Sequence, residues 1–88
     1  MTKKELNAIR HAGYLEWTKG EEAKRLLESC NNTIFLVYRV SEGEQVKLFN
    51  LTDKRQMNHN FLVDNGFSDD ARIELLFTAN RQTKTLSV

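Results

Sequence analysis

His11, His59 and Cys30 are the side chains of this sequence best suited to general-base, nucleophilic or metal chemistry. Each would need partners at the right spacing. On a helix, the neighbours of His11 at i−4 and i+4 are Asn7 and Leu15, neither of them a metal ligand nor a carboxylate able to orient an imidazole. His59 stands between Asn58 and Asn60. Cys30 is the only cysteine, so one chain can form neither an internal disulfide nor a cysteine-based zinc site. It also completes an apolar series, Ala23, Leu26, Leu27 and Cys30, at i, i+3, i+4 and i+7, which predicts core packing at the C-terminal end of a helix, where the dipole disfavours a thiolate. Ser29 lies in no nucleophile-elbow pattern. Gly13, Gly20, Gly43 and Gly66 stand singly, so no phosphate-cradling loop is written into the chain. The sequence therefore predicts no catalytic residue, no cofactor and no metal, and directs attention to binding.

Two sets of side chains could bind. Trp, Tyr and Arg dominate the energetics of protein interfaces, and Tyr14, Trp17, Tyr38 and Arg39 are the candidate anchors for a protein partner. The second set is basic: Lys3, Lys4 and Arg10, then Lys24 and Arg25, then Lys54 and Arg55. If two N-terminal helices lie side by side, these form a strip for a nucleic-acid backbone, with Tyr14 or Trp17 free to stack on bases. Thirteen basic against twelve acidic side chains leave a net charge of +1, which argues against a broad polyanion-binding surface. Glu5, Glu16, Glu21, Glu22 and Glu28 interleave with the cations, which favours solvated helix faces.

Positioning these residues requires an α+β domain. Thr2-Lys3-Lys4-Glu5 is a capping box opening a first helix with Leu6 and Ile9 on its apolar side, and Gly13 is placed to end it. Thr18-Lys19-Gly20-Glu21 is a second capping box, opening a helix from about Lys19 to Cys30. The clearest signal is the pair IFLVYRV and QVKLFNL around Ser41-Glu42-Gly43-Glu44, an antiparallel hairpin. A Glu42-Gly43 bend would set Val40 opposite Gln45, Tyr38 opposite Lys47 and Leu36 opposite Phe49. Both faces of the hairpin are apolar, which places it centrally or covers it from both sides. Met57 to Val63 reads with period 2 as a third strand leading into an Asp64-Asn65-Gly66 turn, although a helix capped by Asp53 would also align Met57 with Phe61. Ser68-Asp69-Asp70 reads as the cap of a helix from about Asp69 to Ala79, with a strand as the alternative because Ile73, Leu75 and Phe77 also alternate. Gln82 to Val88 is a β-prone tail suited to an edge strand, its exposed side protected by Lys84.

The order is thus ααβββαβ: a small antiparallel sheet of three to four strands, with two N-terminal helices and one later helix packed on it. The 88 residues form a single domain, 1–88. No segment has the length and apolarity to span a bilayer, so no membrane partner is expected, and a cytoplasmic location is.

Trp17, Glu22-Ala23 with Leu26-Leu27, and Phe35-Leu36-Val37 resemble the opening of a Src-homology-2 domain. That family's phosphate-binding arginine directly follows the triplet. Here Tyr38 intervenes before Arg39, a slip that turns the side chain to the other face, and the family is rejected. The order is also similar to a double-stranded-RNA-binding domain, but Ser68-Asp69-Asp70 would aim negative charge at phosphates. The reading that remains is a small stand-alone regulatory protein acting by protein–protein interaction, of the kind of a phage- or plasmid-type inhibitor of a host protein. The alternatives are a nucleic-acid-binding protein using the Lys/Arg of the N-terminal helices and, least favoured, a small nuclease-like enzyme built on His59 or His11. A homodimer through the C-terminal edge strand is a further arrangement the tail allows.

Overall fold

A computed structural model describes all residues, Met1–Val88. The chain is α+β, with a four-stranded antiparallel sheet and three α-helices: α1 (Lys3–Trp17), α2 (Glu21–Ser29), β1 (Ile34–Glu42), β2 (Gln45–Leu51), a 3-10 turn over Lys54–Gln56, α3 (His59–Asp64), β3 (Arg72–Asn80) and β4 (Thr85–Ser87). The strand order is β2-β1-β3-β4. The predicted class holds, while two segments exchange type: Met57 to Val63 supplies the third helix instead of a strand, and Asp69 to Ala79 supplies a strand instead of a helix, so the elements run ααββαββ.

Thr2 caps α1 as its sequence predicts, its hydroxyl accepting from the Glu5 amide at 3.2 Å. Gly13 does not end the helix. Continuing to Trp17 buries Tyr14 and carries Trp17 into the core, where its ring meets Tyr14, Phe35 and Phe77 at centroid distances of 5.8, 6.2 and 5.2 Å. That aromatic burial outweighs the roughly 1 kcal/mol penalty of an internal glycine. Thr18 is drawn into the end of α1, donating to the Leu15 carbonyl, so α2 starts two residues later than predicted with Gly20 as its cap.

The hairpin turns on Gly43-Glu44, not Glu42-Gly43: Glu42 pairs with Gln45, Val40 with Lys47, Tyr38 with Phe49 and Leu36 with Leu51. Gly43 has φ +62°, so the residue free to adopt a left-handed backbone takes the first central position, as in a type II′ turn. The register moves by two residues. Because side chains alternate with period 2, every residue keeps its predicted face.

One face carries Phe35, Val37 and Ala79, packed with Leu26 and Cys30 beneath α1 and α2. The other carries Val40, which packs with Leu62 of α3 and with Phe67. β1 therefore has helices on both sides.

The two exchanged segments have local explanations. Asn58 and Asn60 weigh against a helix interior, yet Asn58 is the α3 cap, its side chain accepting from the Phe61 amide at 3.1 Å. Asp64-Asn65-Gly66 is a Schellman ending rather than a hairpin turn: the Phe67 amide donates to the Leu62 carbonyl at 2.8 Å, Gly66 (φ +85°) donates to the Val63 carbonyl, and Phe67 packs on Leu62. In β3 a bulge shifts the pairing from Val37 opposite Phe77 to Tyr38 opposite Leu75, which leaves Leu76 as the extra residue. Leu76 and Phe77 both pack on the first core, and that interruption of strict alternation gives Ile73, Leu76 and Phe77 their helix-like spacing.

Candidate functional site

The four aromatic and arginine anchors divide by burial. Tyr14 and Tyr38 are core residues, 7% and 6% exposed, and Trp17 is partly buried in the aromatic group under α1. They present little surface to a partner. Arg39 is exposed on the α1/α2 face of the sheet, where it meets Glu74 at 2.8 Å, and Glu74 also receives Arg72 at 3.0 Å. Nothing brings these four together as one contact surface.

The basic residues do not form a strip either. α1 packs along β4 and α2 against β2, at opposite edges of the sheet. Lys3, Lys4 and Arg10 therefore belong to one edge, and Lys24 and Arg25 to the other. Lys24 pairs with Glu21 at 3.8 Å and Arg25 pairs with Glu22, both within α2. Arg55 binds the Asp53 carboxylate at 2.7 Å. That contact holds the Asp53 carboxyl down at about 2 and raises the guanidinium, while Asp53 also caps the 3-10 turn. Lys3, Lys4, Arg10 and Lys54 make no ion pair.

Both histidines have partners that the spacing in sequence does not show. His59, the first residue of α3, meets Asp69 through Nδ1 at 2.7 Å, both side chains being exposed. The Ser68 hydroxyl next to that carboxylate donates to Glu42, which also accepts from the Ser68 amide at 2.9 Å. Those bonds hold the Glu42 carboxyl below its usual range and commit Ser68 to the end of β1. His11 meets the Lys84 carbonyl through Nδ1 at 2.9 Å, across the gap between α1 and the β3–β4 turn. No group of three or more His, Cys, Asp or Glu side chains converges, and no helix is long and apolar enough to cross a membrane.

No family model, curated protein or solved structure matches this chain.

The feature that residue types alone do not disclose is an open half of the α3-side sheet face. α3 lies over the β1/β2 end, where Phe49 meets Phe61 and Phe67 at centroid distances of 4.9 and 6.4 Å. Beyond it, Leu75 opposite Tyr38 and Ile73 opposite Val40 continue the same face, with Leu36 and Ile34 along β1. Ile34, Leu75 and Ile73 are 55%, 51% and 41% exposed. Exposed apolar side chains are ordinary singly, but a group of them on one flat face marks an interaction surface. The alternation of Ile73, Leu75 and Phe77 is the signal that foreshadows this face, once the segment is read as a strand.

Proposed function

We propose that this chain is a stand-alone binding protein that occupies an apolar surface on another protein through the open half of its sheet, at Ile34, Leu36, Ile73 and Leu75. Regulators of the phage- or plasmid-type inhibitor class work in this way, by covering a target surface without chemistry of their own. The exposure of three branched aliphatic side chains on adjacent strands carries the reading. Burying such a patch removes apolar area from water, and the resulting affinity is only weakly sensitive to salt.

The experiment is capture of partners from host lysate by tagged wild-type and Leu75→Glu proteins, with and without nuclease. Wild type is expected to retain one protein stoichiometrically in both conditions, and Leu75→Glu to lose it with an unchanged circular dichroism spectrum. Capture that survives Leu75→Glu would remove this face as the contact surface. Capture lost to nuclease would instead support nucleic-acid binding through the unpaired Lys3, Lys4, Arg10 and Lys54, with affinity falling steeply as salt rises. A dimer in sedimentation that dissociates on the same substitution would make a second copy of the chain the partner.

A further inference from the structure

A cleft of about 450 Å³ lies between α1 and the β3–β4 connection, lined by Lys4, Asn7, Ala8, His11, Thr83 and Thr85. Its size falls within the range of small-molecule sites, roughly 300–1,000 Å³, and five of its six lining residues carry a polar group. Ala8 is the single hydrophobic contributor and no acidic side chain takes part. Lys4, Asn7 and His11 follow at i, i+3 and i+7 and so share one flank of the helix. Thr83 of the turn and Thr85 at the start of β4 face them.

The donors of this cleft are largely uncommitted. The Lys4 ammonium and the Asn7 amide form no side-chain hydrogen bond or ion pair within the chain. Thr83 and Thr85 share one hydrogen bond between their hydroxyls at 2.8 Å, so one of the two hydroxyl protons remains free to donate. His11 is fixed by its partner. A carbonyl can only accept, so the Nδ1 that meets Lys84 carries the proton, and in the neutral ring Nε2 holds a lone pair as the one remaining polar atom.

The opposite wall is fixed as well. The Asn80 side chain accepts from the amides of Gln82 at 2.9 Å and Thr83 at 3.1 Å. Arg81 is tied to the Cys30 carbonyl through its guanidinium and to Thr33 through its amide. Lys84 turns its carbonyl to His11 from a left-handed backbone at φ +55°, which is uncommon for a residue with a side chain and is held here by the packing of α1 on β4.

We propose that this cleft binds a phosphate group, free or as a monoester. The Lys4 ammonium supplies the charge, the Asn7 amide and a threonine hydroxyl donate to phosphate oxygens from two walls, and His11 Nε2 accepts from the P–OH that inorganic hydrogen phosphate and the singly charged monoester carry, the doubly charged monoester having none. Lysine serves phosphate as a point charge, whereas planar carboxylates are matched by the fork of an arginine, and no arginine lines this cleft. A carboxylate also offers no O–H to the Nε2 lone pair.

The test is a titration of the full chain with inorganic phosphate, a nucleoside monophosphate and acetate at constant ionic strength, read by amide and imidazole chemical shifts. Both phosphates are expected to shift the signals of Lys4 to His11 and Thr83 to Thr85 saturably, with acetate inert. Lys4→Gln is expected to weaken phosphate binding about tenfold, the worth of one charge-assisted hydrogen bond, and Thr85→Val several-fold. Saturation by the nucleotide alone would place the recognition in its base or sugar and overturn the proposal. So would an equal response to acetate, no saturable shift with phosphate, or wild-type affinity in Lys4→Gln with its spectrum otherwise unchanged.

Discussion

Truncating Leu62 and Val63 separately to alanine tests the element whose type the sequence assigns differently. In α3, Leu62 points inward, 4% exposed against Val40 and Phe67 with Phe49, Met57 and Ala71 around them, while Val63 points outward, 52% exposed. Buried leucine-to-alanine changes cost about 2–5 kcal/mol, from lost transfer energy plus the cavity left behind. Met57 is flexible enough to move into part of the space, which sets the expected cost of Leu62→Ala at about 3 kcal/mol. A chain of 88 residues unfolds with an entropy near 0.18 kcal/mol/K at about 2.1 cal/mol/K per residue, so the melting temperature should fall by about 16 °C. Val63→Ala gives up little burial and gains several tenths of a kcal/mol in helix propensity, for a net change within about 0.5 kcal/mol and a shift of no more than about 3 °C.

Thermal and urea unfolding followed by far-ultraviolet circular dichroism and Trp17 fluorescence would measure both variants. Trp17 packs on the first core, across the sheet from Leu62, so coincident transitions would show that the two cores unfold as one unit. On a strand Val63 would share the face of Phe61 and Leu62 would turn away. A larger loss for Val63→Ala than for Leu62→Ala would therefore refute the helix and the reasoning built on it.

Acid stability follows from Asp53. Its carboxyl is lowered from the usual 3.8 to about 2 by Arg55, so its contribution is complete above the unfolded value and is lost as the pH falls from there through the folded one; in Asp53→Asn, the drop in melting temperature over that interval should be smaller than in wild type. Glu42, held low by Ser68, acts in the same direction, and Ser68→Ala should reduce the same acid-limb loss. The Asn50 amide donates to the Leu26 carbonyl at 2.7 Å and to the Ser29 hydroxyl at 3.3 Å, tying the end of α2 to β2; Asn50→Ala should cost about 1–2 kcal/mol in urea denaturation, and a cost below the error of the fit would mean that water replaces those bonds without loss.

The sequence by itself determined what depends on neighbours in the chain. The capping hydroxyl of Thr2, the apolar stripe of α2 ending at Cys30, the existence of the β1–β2 hairpin and the face of each of its side chains all follow from spacings of one to four residues. The α+β class follows from the same signals. Tertiary structure decided the rest. Asn58 serves as a cap because Leu62 has a second core to enter, and the segment after Asp69 becomes a strand because β1 offers it an edge with a bulge at Leu76. Packing of α1 on β4 carried the helix through Gly13, separated the basic residues of the two helices, and brought His11 to Lys84 across 73 positions of sequence. The cleft lined by Lys4, Asn7, His11, Thr83 and Thr85 joins the two ends of the chain, and the open sheet face joins two strands more than thirty residues apart. Local spacing fixes which way a side chain points on its own element, but only the packing of elements distant in sequence fixes what it faces.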